Sequence, residues 1–147
     1  MNNPLGTGVG PDGSVYVADA GNDRIQRFTS SGVYVGQWGG TGAGPGQMDD
    51  PDDVHATPGG LVLVADRRNH RVQTFTAEGG FVCELGTMGT GPGQLRLPSG
   101  VVVDAGGSLY VVEGLNHRVQ KFALSPTGVV GGRSLPTSWG RLKRLVR

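Results

Sequence analysis

The sequence predicts an all-β chain built from three four-stranded antiparallel sheets stacked face to face. Three observations carry this expectation. One pattern recurs at a fixed step of 47 residues (66 − 19 and 113 − 66), without a gap, through most of the chain. Asp19, Asp66 and Glu113 keep the step, as do Asn22, Asn69 and Asn116, then Arg24, Arg71 and Arg118, then Phe28, Phe75 and Phe122. Within each copy, short runs of strand-forming residues alternate with turn residues, and none shows helical periodicity. Finally, Leu61-Val62-Leu63-Val64-Ala65 is apolar at every position, which marks a strand covered on both faces.

The second copy shows the elements in order. Asp53-Val54-His55-Ala56-Thr57 is the first strand, and Pro58-Gly59-Gly60 turns the chain. Leu61 to Ala65 is the second strand, followed by the polar turn Asp66-Arg67-Arg68-Asn69. Turns of this kind suit Asp and Asn because their side chains bond nearby backbone. His70 to Phe75 is the third strand, Ala77 to Gly80 the next turn, and Phe81 to Leu85 the fourth strand. A Gly-rich segment, Gly86 to Gln94, carries the chain to the next copy, as the segment ending Pro45-Gly46-Gln47 does before it. Radial stacking of such four-stranded sheets gives a partial β-propeller of three blades.

Composition fits this reading. The chain has 147 residues, of which 28 are Gly and nine Pro. Because these fall at fixed repeat positions, they read as turn punctuation rather than disorder. Cys83 is the single cysteine, so no internal disulfide exists, and its apolar setting points to a buried, inert thiol. No apolar run approaches the roughly 20 residues needed to span a bilayer, and Met1-Asn2-Asn3-Pro4 lacks the features of a secretory signal. A soluble, cytoplasmic chain is expected, and its abrupt start at a repeat suggests part of something longer. Residues 1–132 hold all twelve acidic residues against eight basic ones, whereas 133–147 carry five basic residues and no acid.

The copies Asn22-Asp23-Arg24-Ile25-Gln26-Arg27-Phe28, Asn69-His70-Arg71-Val72-Gln73-Thr74-Phe75 and Asn116-His117-Arg118-Val119-Gln120-Lys121-Phe122 resemble the NHL repeat family. The resemblance covers about residues 4 to 124 and implies an NHL-type β-propeller, usually six-bladed, so that three copies make half a ring. The third copy departs by Glu113 in place of Asp and by Pro126 at the position of Gly32 and Gly79. Its fourth strand, around Val129-Val130, is therefore expected to be incomplete. The domains read as 1–50 (first blade with linker), 51–97 (second blade with linker), 98–132 (incomplete third blade) and 133–147. The last is a basic tail or, preferably, a degenerate linker, since Gly140 and Leu142 fall 47 after Gly93 and Leu95.

Candidate site residues divide into repeated and unrepeated ones. Asp19, Asp66, Glu113, Asn22, Asn69, Asn116, Arg24, Arg71 and Arg118 occur once per blade, which argues for structure rather than catalysis. Arg71 in particular is expected to be buried against a carboxylate or turn carbonyls. His55 breaks the pattern, because the other copies have Gly8 and Val102. It is a channel-facing binding candidate. Arg67 and Arg68 are binding candidates in an exposed turn. His70 and His117 are repeat equivalents, expected a blade apart and so too far to share a metal. No cofactor or metal is expected, and Trp38 is expected to pack rather than stack on a base.

A non-catalytic scaffold for protein or ligand binding follows, with a homodimer completing a six-bladed ring. Membrane binding is not expected. Two alternatives stay open. One is part of a lyase- or lactonase-type propeller enzyme, for which family members use several channel histidines. The other is the substrate- or RNA-recognition end of a tripartite-motif-like ubiquitin ligase. The acidic balance of the repeats argues against a nucleic-acid partner.

Overall fold

Each copy of the repeat folds as an antiparallel meander, because its short turns permit only hairpin connections. The computed structural model describes residues 1–125 and 128–139. The first sheet comprises β1 (Pro4–Val9), β2 (Val15–Asp19), β3 (Arg24–Phe28) and β4 (Tyr34–Gly39). The second comprises β5 (Pro51–Ala56), β6 (Val62–Asp66), β7 (Arg71–Phe75) and β8 (Phe81–Leu85). The third comprises β9 (Pro98–Val103), β10 (Ser108–Glu113), β11 (Arg118–Ser125) and β12 (Gly128–Trp139). In each sheet the strands follow chain order. One 3-10 turn, Ala20–Asn22, is the helical content of the described residues, and no helix there is long and apolar enough to cross a membrane.

The second sheet is buried on both faces, as its continuous apolar strand requires. Cross-strand partners share a face, so the pairs Val54–Val64, Ala56–Val62 and Val62–Phe75 put these five residues on one side. That side packs against Tyr16, Ala18 and Ile25 of the first sheet, with Trp38 at the margin. Leu63, Ala65, Val72 and Leu85 occupy the other side and meet Leu109, Val111 and Phe122 of the third sheet. The linkers contribute one apolar plug to each layer: Met48 enters the first core and Leu95 the second, both fully buried.

Trp38 packs, as its equivalence with Leu85 implies. Its ring stands 5.9 Å from that of Tyr16 and 5.8 Å from that of Phe75. It lies over Gly79, where a Cβ would come within 2.6 Å of the indole. Cys83 is half-buried rather than fully enclosed.

The fourth strand of the third sheet departs from expectation. β12 is present and runs to Trp139, pairing with β11 along its length, so the boundary drawn at 132 falls within it. The reason lies in the register. Ile25 pairs with Trp38 and Val72 with Leu85, both 13 residues on, but Val119 pairs with Trp139, 20 residues on. The longer span is accommodated by two irregularities, where β12 advances from Ser138 to Ser134 against Gln120 to Phe122 and from Ser134 to Val129 against Phe122 to Leu124, and by a ladder that continues to Ser125 and Gly128. Trp139 thus stands where Trp38 and Leu85 stand, and a strict 47-residue projection misplaces the segment. Pro126 and residues 140–147, the remainder of the expected tail, lie outside the described residues.

Gly79 and Gly32 are repeat equivalents with left-handed backbone (φ 92° and 84°), but nothing lies within 4 Å of a Cβ at Gly32. Alanine at either costs the same backbone strain. Gly79→Ala is expected to cost a further ~1–3 kcal/mol from overpacking against Trp38. Paired urea denaturation of the two variants measures the difference.

Candidate functional site

The repeated polar residues converge on a buried carboxylate and, through it, on the linker. In the second sheet, Asp66 ends β6 and is fully buried. It accepts hydrogen bonds from Asn69 Nδ2 (3.0 Å), Arg71 Nε (2.7 Å), Gln73 Nε2 (3.1 Å) and the backbone N–H of Asp49 (2.9 Å). The other end of Arg71 faces the incoming linker. Its Nη1 donates to the carbonyl of Ala43 (2.9 Å) and to Glu84 (2.7 Å), and its Nη2 to the carbonyls of Gly44 (3.0 Å) and Gln47 (2.8 Å). Gln73 closes the clamp from both sides. It donates to the Gln47 carbonyl (2.6 Å) and accepts from the Gly46 N–H (2.9 Å).

The third sheet repeats this geometry with Glu113 in place of Asp. Glu113 accepts from Asn116, Arg118, Gln120 and the N–H of Arg96. Arg118 donates to the carbonyls of Thr90 (2.7 Å), Gly91 (3.0 Å) and Gln94 (2.7 Å), and Gln120 accepts from the Gly93 N–H (3.1 Å). The longer Glu side chain keeps the same partners, so the substitution is conservative here. In the first sheet Asp19 accepts from Asn22, Arg24, Gln26 and the N–H of Asn2. All nine repeated residues take part in these networks, and Arg71 is 6 % exposed.

The carboxylates differ in acidity. Burial alone would raise the Asp19 carboxyl, but the donors from Asn2, Asn22, Arg24 and Gln26 outweigh it and hold it at about 2. At Asp66 burial prevails over the same kinds of donor and pushes the carboxyl up. The turn carboxylates Asp12 and Asp104 are held down by backbone N–H donors from Ser14 and Ser108, respectively.

Asp23, His70 and His117 share a left-handed backbone (φ 52°, 55° and 50°) at the turn after the second strand of each sheet. Asp23 Oδ1 accepts from the Asp50 N–H (2.8 Å) and His70 Nδ1 from the Leu97 N–H (3.1 Å). Asp23 and His70 thus pin the chain where it enters the next sheet. No group of three or more potential metal ligands occurs among the described residues.

The unrepeated candidates sit elsewhere. His55 lies on β5, the first strand of its sheet, opposite Leu63, so it faces the third sheet. It is half-buried, and burial pushes its pKa down against the upward pull of Asp53. The first strands β1, β5 and β9 lie side by side along the arc. Asp53 is a residue that sequence reasoning passed over. Its Oδ2 accepts the Val101 N–H (3.0 Å) and so bridges β5 to β9. A signal was available, because the equivalent positions are Gly6 and Gly100. Arg67 and Arg68 lie in the expected turn but are not free: Arg67 pairs with Asp50 (3.0 Å) and Asp52 (3.8 Å), and Arg68 with Asp50 (3.5 Å) and Asp49 (3.9 Å). The structure does not bring them together with His55 into one site.

Comparison with known proteins now bears on this geometry. The NHL repeat pattern matches residues 1–28, 48–75 and 95–122, each segment ending at the repeated Phe. The chain belongs to the NHL-repeat family. No curated protein matches it at a significant level. Among solved structures it is similar to a streptogramin B lyase (TM-score 0.67, 19 % identity, 92 % of this chain and 42 % of that one). It is also similar to a gluconolactonase from Xanthomonas campestris (0.58, 18 %, 78 % and 36 %) and to a chain of a nidogen/laminin complex (0.64, 21 %, 85 % and 45 %). At these identities the likeness is one of fold. The NHL chain spans less than half the length of each.

Removing Arg71 leaves Asp66 buried without its cation, so Arg71→Ala is expected to cost ~3–5 kcal/mol. Arg118→Ala and Arg24→Ala should cost progressively less, following side-chain exposures of 7 %, 16 % and 27 %. Chemical denaturation of the three variants checks the ranking, and a wild-type midpoint for Arg71→Ala would overturn the structural role.

The Asp19 value lies below the ordinary 3.8, so its bonds stabilise the fold above about pH 4. That contribution is lost as the pH falls toward 2, because the unfolded chain takes up the proton first. Asp19→Asn should therefore flatten the fall in melting temperature between pH 4 and 2, measured against wild type.

Proposed function

We propose that the chain is a non-catalytic NHL-repeat scaffold that binds a protein or other ligand, and that two copies complete a six-bladed ring. One observation carries the proposal. The repeated carboxylate, Asn, Arg and Gln residues, which have the chemistry for acid–base work or anion binding, are engaged with one another and, in the second and third sheets, with the linkers. What remains for binding is the set of unrepeated residues and the two terminal sheet faces.

Ring closure is supported by the outward face of the third sheet. Tyr110, Val112 and Val119 occupy the positions by which Tyr16, Ala18 and Ile25 pack on the second sheet. Val112 is 40 % exposed, whereas its equivalents Ala18 and Ala65 are fully buried. A second copy's first sheet fits this face in the way the second sheet fits the first. Two such contacts related by a two-fold axis close the ring, and closed symmetry is the common outcome for identical chains.

Sedimentation equilibrium is expected to give twice the 15.2 kDa chain mass, and Val112→Glu to shift the population to monomer. A wild-type chain that stays monomeric at high concentration would overturn ring closure.

A second reading, enzymatic, is favoured by His55 alone, half-buried beside Asp53 on the inner strand. Turnover of a streptogramin or a gluconolactone that disappears in His55→Ala would replace the scaffold reading. An RNA partner is disfavoured because Arg67 and Arg68 are neutralised by Asp49, Asp50 and Asp52. No retention of generic RNA is expected in filter binding at physiological salt. Retention that Arg67→Glu abolishes would count against this assignment.

A further inference from the structure

The two junctions between sheets are closed differently at the end where first and second strands turn. Between the first and second sheets, Arg27 spans the gap. Its Nη2 donates to Asp12 (2.9 Å) and to Ser14 Oγ (2.9 Å), and its Nη1 to the carbonyl of Ala77 on the other side (3.2 Å). The guanidinium lies over the Tyr16 ring, 5.8 Å from its centroid. One repeat later the equivalents are Gly59 for Asp12, Leu61 for Ser14, Leu63 for Tyr16, Thr74 for Arg27 and Leu124 for Ala77. Acid, hydroxyl and cation are lost together.

A cleft of about 380 Å³ opens there, between the turn at 57–61 and the turn at 103–107. Leu61, Val103 and Leu124 line it and pack against the second core, and none of the three is fully buried. Thr74 does not line it, and Thr74 Oγ1 is buried without a partner among the described residues.

The acid of this junction stands on the opposite wall. Asp104 lines the third-sheet side, at the repeat position of Thr57. Its carboxylate accepts the Gly106 N–H, the Ser108 N–H and the Tyr110 hydroxyl, each at 2.9 Å. A carboxylate accepts about four bonds, so these donors leave a place for one more. The Ser108 N–H foremost, with Lys121 pulling in the same direction from over the Tyr110 ring (5.5 Å), holds the carboxyl below the ordinary range.

We propose that this cleft binds the guanidinium of an arginine side chain presented by a partner protein, with the aliphatic stem on Leu61, Val103 and Leu124 and the head at Asp104. Arg27 is the internal template, since it closes the equivalent gap with the same chemistry. Apolar walls and one carboxylate suit a long stem that ends in a cation. An acidic ligand would face Asp104 as a like charge, and a wholly apolar one would cover it without a bond. The assignment deepens the scaffold reading, on which it rests, by giving its ligand a chemical class.

The test uses the full chain and N-acetylarginine methylamide. NMR titration is expected to move the amides of Gly106 and Ser108 and the methyls of Leu61 and Leu124 saturably. The amides of Ser14 and Ala77, at the filled junction, should stay in place. The capped citrulline analogue keeps the shape and loses the charge. It should bind about tenfold more weakly, the gap between a charged and a neutral hydrogen bond, and raised salt should weaken only the arginine. Gly59→Asp restores the acid of the first junction, where a Cβ meets nothing closer than Thr57 Oγ1 at 3.8 Å. It should tighten binding about tenfold, and Thr74→Arg should fill the cleft from within and abolish binding. Absence of saturable shifts up to the solubility limit, equal affinity for arginine and citrulline, or equal shifts at Ser14 and Ala77 would each overturn the site. The ligand comparison leaves the protein unaltered, so it decides the matter even where Thr74→Arg unfolds the chain. Free arginine that binds more tightly than the capped residue would overturn the partner-protein source. A chain that sediments as a monomer and binds the probe keeps this site and removes ring closure. A dimer that ignores the probe does the reverse.

Discussion

A carboxylate with no access to water must be met by donors, and that requirement organises every blade of this NHL chain. Asp66 and Glu113 are enclosed, and an unpaired charge in such a place would cost several kcal/mol. The turn asparagine, the strand arginine and the strand glutamine meet it in each sheet. Their offsets from the carboxylate are three, five and seven residues. An inserted residue between them would turn the arginine to the other face of the strand. The invariance of spacing within the motif is thus a consequence of the burial of one charge.

The same set of donors explains why the linkers are glycine-rich without being loose. Irregular main chain that runs between two sheets carries polar groups that need partners. The arginine fork and the glutamine amide supply them from one side, and the linker's own glutamine from the other. Glycine lets the main chain approach this closely. The apolar residue that follows, Met48 or Leu95, then enters the layer between sheets. Each linker is therefore a structural layer of the stack, held by polar bonds at one end and by hydrophobic burial at the other.

Function, on this reading, lies in departures from the repeat. His55 and Asp53 sit on the inner strand at positions that are glycine or valine in the other copies, and Asp53 ties that strand to its neighbour. Arg67 and Arg68 look like an open basic patch in the sequence. The end of the preceding linker and the start of β5 bring three carboxylates to them. Those acids lie 15 or more residues earlier in the chain, and only the return of the linker over the turn makes them partners.

The sequence by itself determined the strands, the turns and the three-sheet stack. Each of these is local or periodic: alternation, glycine at left-handed turns, and a step of 47 residues that leaves one register for every copy. Tertiary structure decided the rest. The fourth strand of the third sheet escaped the projection because Val119 pairs with Trp139 through two irregularities of the ladder, a choice made by pairing and not by spacing. The pairing of Arg67 and Arg68 with Asp49, Asp50 and Asp52 is equally invisible in the sequence. The two arginines read there as an open basic turn, and only the return of the chain over that turn shows that acids 15 or more residues earlier meet them.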